Sequence, residues 1–205
     1  MNAQSLQLVQ QHLPQLRLPL ADAAPWHVLL EHAAFEHGEA AQQPLHTLLE
    51  SAWEQGLLRD AVVAESLAQT QALWQVREGI PLAQAAEGLN VKHDISVPTS
   101  AMPAFVEATN AALAAAFAGV RLVTFGHLGD GNLHYNVQAP AGSDPKVFLQ
   151  QHEAAINTLV FDAAQRFGGS ISAEHGIGQL KRDVLPHYQS PVALEMMRAI
   201  KHAID

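Results

Sequence analysis

Phe125-Gly-His-Leu-Gly-Asp-Gly-Asn-Leu-His-Tyr-Asn136 decides how this chain folds. A Gly-Asp-Gly-Asn turn between two short apolar stretches, Val120 to Phe125 and Leu133 to Val137, predicts an antiparallel hairpin. Side chains alternate across a strand, so His134 and Asn136 leave the same face, and the turn brings His127 back toward His134. Further along, Ser170-Ile-Ser-Ala-Glu-His-Gly-Ile-Gly178 offers adjacent Glu174 and His175 in a second glycine-bracketed loop. Two imidazoles, an amide, a carboxylate and a third imidazole in glycine-rich loops point to a combined metal and acid/base site.

Outward from the hairpin, helices and strands interleave. Asp144 to Phe167 predicts a helix stopped by Gly168-Gly169, and Ser100 is expected to cap an alanine-rich helix ending near Gly119. Val91-Lys-His-Asp-Ile-Ser-Val97 alternates with period two and stops at Pro98, a strand signal. Trp26 to Phe35 is apolar enough for a strand, and Arg59 to Glu65 for a short one. Helices are expected within residues 1–20, short and broken at Pro14 and Pro19, over Glu39 to Gln55, from Gln69 to Gly88 with a kink or break near Gly79-Ile-Pro81, and from about Ser190 to the end. A hairpin with helices to cover one sheet face gives an α+β fold, a two-layer sandwich with a largely antiparallel sheet. Gly129-Asp-Gly131 lies between strands rather than opening a helix, so it is not a dinucleotide fingerprint.

The chain holds twelve histidines, most of which need no special role. His12, His46, His152 and His202 read as ordinary polar residues. His32 and His37 are five apart, which puts their rings on different faces of a helix, so they do not form a zinc-protease pair. His127, His134 and Glu174 differ. Zinc takes imidazole nitrogen and carboxylate oxygen, commonly three protein ligands with an open position. From the residues alone, a metal centre and a hydrogen-bonded polar cluster both remain open. Asp130 is a competing ligand, but in Gly129-Asp-Gly131 it suits bonding to the turn backbone.

With 205 residues, 48% hydrophobic and 15% charged, the chain can bury a core and reads as one domain over 1–205, or one large domain with a small appendage. A formal charge of −9 argues against nucleic acid as a partner. The absence of cysteine excludes disulfides and thiolate chemistry. No apolar run approaches the roughly 20 residues of a membrane span. The N-terminal residues lack a secretory pattern, so a cytoplasmic location is expected.

Four motifs in order, Trp74-Gln-Val-Arg-Glu78, Val91 to Pro98, Gly126 to His134, and Ser172 to Gly178 followed by Lys181-Arg-Asp183, carry a resemblance. Over about residues 25–205 the chain resembles the C-terminal domain of FAD-linked oxidases, in the group containing D-2-hydroxyglutarate, D-lactate and glycolate dehydrogenases. The resemblance implies a ferredoxin-like cap that holds substrate over a flavin, with the FAD-binding N-terminal domain absent from this chain. The chain would then be an excised domain, a truncated product or one half of a split enzyme. It would work with a flavin domain in cis or in trans, would be inactive in isolation, and could pair as a homodimer through the face left open.

The resemblance also implies roles. His127, His134 and Glu174 would hold a divalent metal, zinc or else manganese; His175 would be the base; Arg77, Lys92 and Asn136 would contact substrate. The reaction implied is oxidation of a 2-hydroxy acid to the 2-oxo acid, with hydride passing to FAD. Relatives acting on D-2-hydroxyglutarate tend to carry threonine where this chain has Pro81, which has neither hydroxyl nor N–H to offer a distal carboxylate. A smaller acid such as D-lactate therefore stays in contention. Competing readings are a standalone metal or hydroxy-acid binding module, a metal-dependent hydrolase, and a metal-free oxidase.

Overall fold

The structure, a computed structural model, describes residues 1–20, 24–35 and 38–204. The chain forms two compact units, Met1–Glu87 and Gly88–Asp205.

In the first unit, α1 (Ala3–His12) is capped by Asn2, whose side chain accepts the Ser5 N–H. It packs against α3 (Leu67–Glu87). The absent side chain of Gly79 lets Leu13 and Leu16 approach α3 closely. Between them in sequence comes α2 (Glu39–Glu54). Pro81 does not break α3, which runs on through it. A proline inside a helix forfeits one backbone hydrogen bond, and here the buried stripe of Val76, Gly79, Ile80 and Ala83 holds the helix together on both sides.

Two expected strands are absent from this unit. Trp26 to Phe35 makes an isolated antiparallel bridge, Trp26 with Asn2, and is otherwise irregular. Its Val28, Leu30 and Phe35 are exposed, so their apolarity does not mark a sheet face. Arg59 to Glu65 is also irregular. There the backbone is satisfied locally: Asp60 accepts the Ala61 N–H and Gln69 accepts the Glu65 N–H. His32 lies in an irregular segment, and His37 lies outside the described residues.

The second unit carries the sheet. Strands β1 (Asn90–Val91) and β2 (Asp94–Ser96) pair along one edge of β4 (Asn132–Gln138), and β3 (Arg121–His127) pairs along the other, all antiparallel. The sequence predicts one strand over Val91 to Val97; the structure splits it at Lys92 and His93 without changing register. Side chains cause the split. The Tyr135 carbonyl meets His93 Nδ1 at 2.7 Å, and the His93 N–H donates to Asn136 Oδ1 at 3.2 Å.

Helix α4 (Met102–Ala116) follows a 3-10 turn over Thr99–Ala101. Ser100 therefore sits inside that turn and does not cap α4. The Ala101 N–H bonds back to the Pro98 carbonyl, and this tightened turn delays the helix. Helix α5 (Pro145–Arg166) is capped by Asp144, which accepts the Lys146 and Val147 N–H groups. Short α6 (Leu185–Tyr188) and then α7 (Pro191–Ile204) close the chain. After α5, Ser170 makes an isolated antiparallel bridge to Ser96. The order is thus strand, helix, hairpin, helix and a remnant fourth strand beside the first, the split βαβ pattern of ferredoxin-like folds.

Leu133, Tyr135 and Val137 of β4 face a core with Phe105, Leu113, Phe148, Ile156 and Val160 from α4 and α5. The other face of β4 presents Asn132, His134, Asn136 and Gln138.

Candidate metal and acid–base site

The site is built from the polar face of β4, the end of β3 and the loop after Ser170. Register sets its first row: Asp94 of β2 lies opposite His134 of β4, and Phe125 of β3 lies opposite His134 on the other side. Opposed residues share a face. The Phe125 and His134 rings accordingly lie with centroids 4.8 Å apart. His127 pairs with Asn132 rather than His134. The two histidines are therefore diagonal neighbours, with ring centroids 6.4 Å apart.

The hairpin turn depends on Gly131, which has φ 69° in the left-handed region. A Cβ there would also collide with the Val97 carbonyl, while the Gly131 carbonyl accepts the Val97 N–H. Asp130 stands exposed in the turn, outside the cluster.

Glu174 enters from the loop. Its Oε1 is 3.6 Å from His127 Nε2, and its Oε2 is 3.4 Å from His134 Nε2. Among the described residues, His127, His134 and Glu174 form the group able to hold a metal, with their ligand atoms within 4.8 Å of one another. A tetrahedral ion with bonds near 2.0–2.1 Å sets its ligand atoms about 3.4 Å apart. The two His–Glu separations lie near that spacing but run to different oxygens of Glu174, and the donor types fit zinc. His127 and Glu174 are each about half exposed at 46%, so the group is open on one side.

Asp94, which the sequence reading left without a role, organises this loop. It is buried at 5% exposure. Its Oδ2 accepts the backbone N–H groups of Glu174 and His175, both at 2.8 Å, and its Oδ1 accepts from Asn132 Nδ2 at 2.8 Å. Its backbone carbonyl accepts the Ala173 N–H. Burial works against the carboxylate, yet hydrogen bonds from the His175 N–H, the Asn132 amide and the Glu174 N–H, with the nearby His175 ring, hold Asp94 below the usual carboxylate range. Lys181 adds a second tie, donating to the Ile171 carbonyl at 2.6 Å. Burial lowers its pKa, and Asp94 pulls it back up. One signal for Asp94 was legible: an acid in the middle of an alternating strand segment, Val91 to Val97, is seldom buried without partners.

His175 follows Glu174 with its side chain 71% exposed and its Nδ1 3.6 Å from Asp94 Oδ2. Its ring lies 6.0 Å from that of His134, nearly parallel. Asn136 is buried, and its Oδ1 is used by the His93 N–H. Lys92 is exposed and falls at the register position facing Asn136, one row from His134. Arg77 is half-buried on α3 of the first unit, and the cluster forms without it.

The family model described as "FAD linked oxidases, C-terminal domain" matches residues 1–205. The chain is 42% identical over 187 residues, 91% of its length, to a D-2-hydroxyglutarate dehydrogenase of Xanthomonas citri pv. viticola. It is 39% identical over 187 residues to a D-2-hydroxyglutarate dehydrogenase of Stutzerimonas stutzeri. Over 205 residues, its whole length, it is 36% identical to a mitochondrial D-2-hydroxyglutarate dehydrogenase of Rattus norvegicus. The chain spans 39% of each bacterial relative and 36% of the rat protein.

Proposed function

The chain belongs to the family of FAD-linked oxidase C-terminal domains, and from that premise we propose that it is the substrate- and metal-binding part of a flavin-dependent D-2-hydroxy acid dehydrogenase. The observation that carries the reading is the meeting of His127, His134 and Glu174 with His175 beside them. The match over the whole chain favours this enzyme part over a standalone binding module.

In the proposed reaction a 2-hydroxy acid becomes a 2-oxo acid: the hydroxyl loses a proton and the carbon beside it loses a hydride. The flavin, from a domain in cis or in trans, would supply the two-electron acceptor, and a divalent metal would favour the deprotonated hydroxyl. His127, His134 and Glu174 would hold that metal, zinc on donor type, with manganese compatible. His175 would take the hydroxyl proton at Nε2, because its Nδ1 is the nitrogen turned toward Asp94. Lys92 and Asn136 lie on the same sheet face and would meet the substrate carboxylate, Lys92 as a point charge. Arg77 is assigned to that carboxylate from its sequence motif. Carriage of D-2-hydroxyglutarate rather than a shorter acid rests on the relatives' names, and a cytoplasmic location belongs to the same proposal.

The test is metal content and substrate binding together. Purified chain should retain or take up one equivalent of zinc or manganese, and His134→Ala should lose it. The loaded chain should then bind D-2-hydroxyglutarate in preference to its L enantiomer by calorimetry. Failure to take up metal after reconstitution would sink the metal assignment. Equal binding of both enantiomers would sink the substrate assignment.

A further inference from the structure

We propose that Asp94 is the positioning residue of this site: through Oδ1 it accepts the Nδ1–H of His134, and so keeps the Nε2 lone pair of His134 turned toward Glu174. The inference deepens the metal reading above and rests on it for its consequence, though not for its geometry.

Acceptor capacity carries the argument. A carboxylate offers about four lone-pair positions, two on each oxygen. Both positions of Asp94 Oδ2 are taken by the Glu174 and His175 backbone N–H groups at 2.8 Å. One position of Oδ1 is taken by Asn132 Nδ2 at 2.8 Å. The fourth is left for His134 Nδ1, on the residue directly opposite in the sheet; at 3.9 Å the two atoms are in ion-pair range, and a small rotation of the imidazole closes them to a hydrogen bond. His175 Nδ1 is closer, at 3.6 Å, but approaches the oxygen already saturated. The carboxylate is buried while Glu174 is half exposed. Water therefore competes for Glu174 and far less for Asp94. A neutral imidazole whose Nδ1 carries the proton has its lone pair on Nε2, and that nitrogen lies 3.4 Å from Glu174 Oε2. Metal-binding histidines are generally fixed in this way by an acceptor behind the ring, a carboxylate, a backbone carbonyl or a water. Asp94 would thus do two jobs from one side chain: two N–H bonds place the loop that carries Glu174, and the remaining lone pair sets the tautomer of His134.

Imidazole 15N spectra of the metal-free chain test this. In wild type, Glu174 competes for the Nε2 proton, so the decisive sample is Glu174→Ala, which keeps the backbone bond to Asp94. His134, assigned by its loss in His134→Gln, should carry its proton on Nδ1. Adding Asp94→Asn to Glu174→Ala should move the proton to Nε2. An Nε2 proton in Glu174→Ala itself would overturn the proposal. With all three ligands intact, Asp94→Asn should weaken zinc binding by about 10–100-fold, and unchanged affinity would also overturn it. Should the Asp94 variants fail to fold, the Glu174→Ala spectrum decides alone. If wild type takes up no zinc while that spectrum shows the Nδ1 proton, the metal reading falls and the role of Asp94 stands.

Discussion

The two faces of β4 share a backbone and differ in what holds them. On one face Leu133, Tyr135 and Val137 are sealed against α4 and α5. Their contribution is apolar area removed from water, which depends on volume and little on which atom meets which. On the other face Asn132 is tied to Asp94, with His134 3.9 Å from the same carboxylate, and through Asp94 to the loop carrying Glu174 and His175. That arrangement depends on donors and acceptors at single atoms and tolerates exposure at its rim. One face therefore supplies stability and the other a geometry, and substitutions should separate the two.

The largest expected loss lies on the sealed face. Tyr135 is fully buried, and its hydroxyl donates to Asn110 at 2.5 Å. Tyr135→Ala should destabilise the chain by roughly 3–5 kcal/mol in urea denaturation, as for other large aromatic truncations. A loss under about 1 kcal/mol would break the comparison, because that is the scale of surface changes.

His93, at the break between β1 and β2, should give the next effect. Its ring is 1% exposed, and burial pushes its pKa down from 6.5 to about 4 against the opposing pull of the Tyr135 carbonyl. The folded chain therefore keeps His93 neutral where the unfolded chain protonates it. Stability is full above about pH 6.5 and falls as pH drops toward 4, by roughly 3 kcal/mol if the whole shift is expressed. Asp94 is shifted the other side of its ordinary 3.8, so its contribution is lost below that value, outside this window. Denaturation series from pH 7.5 to 4.5 should show the slope in wild type and lose it in His93→Asn. A slope of equal size in that variant would assign it elsewhere.

Gly131→Ala should cost about 1–2 kcal/mol for its left-handed backbone alone, with more from the collision at the Val97 carbonyl. It should also lower zinc affinity, since the turn sets His127. Affinity unchanged at reduced stability would separate the turn from the site. Smallest in stability is His127→Ala. With its side chain 46% exposed, the variant should stay within about 0.5 kcal/mol of wild type while losing metal. A cost above 2 kcal/mol would mean that the open face also holds the fold together.

The hairpin and the main helices of the second unit were legible because their signals are local: alternation, a Gly-Asp-Gly turn, an Asp-Pro start and a Gly-Gly stop. The misread segments, Trp26 to Phe35 and Arg59 to Glu65, look strand-like by composition. A strand also needs a neighbour, and composition does not report one. The split at Lys92 and His93 arises because the His93 ring takes the Tyr135 carbonyl and the Asn136 amide takes the His93 N–H, displacing one of the two backbone bonds between His93 and Tyr135.

Sequence by itself determined the α+β class, the hairpin, and the residue set His127, His134, Glu174 and His175, because motif chemistry and strand periodicity are written in neighbouring residues. Tertiary structure decided how those residues meet. Glu174 reaches two histidines from a loop forty positions away from the nearer one, and Asp94 holds that loop from a strand eighty positions earlier. Hydrogen-bond capacity at a buried carboxylate is filled by whatever the fold brings within reach, and that is fixed by packing rather than by spacing along the chain.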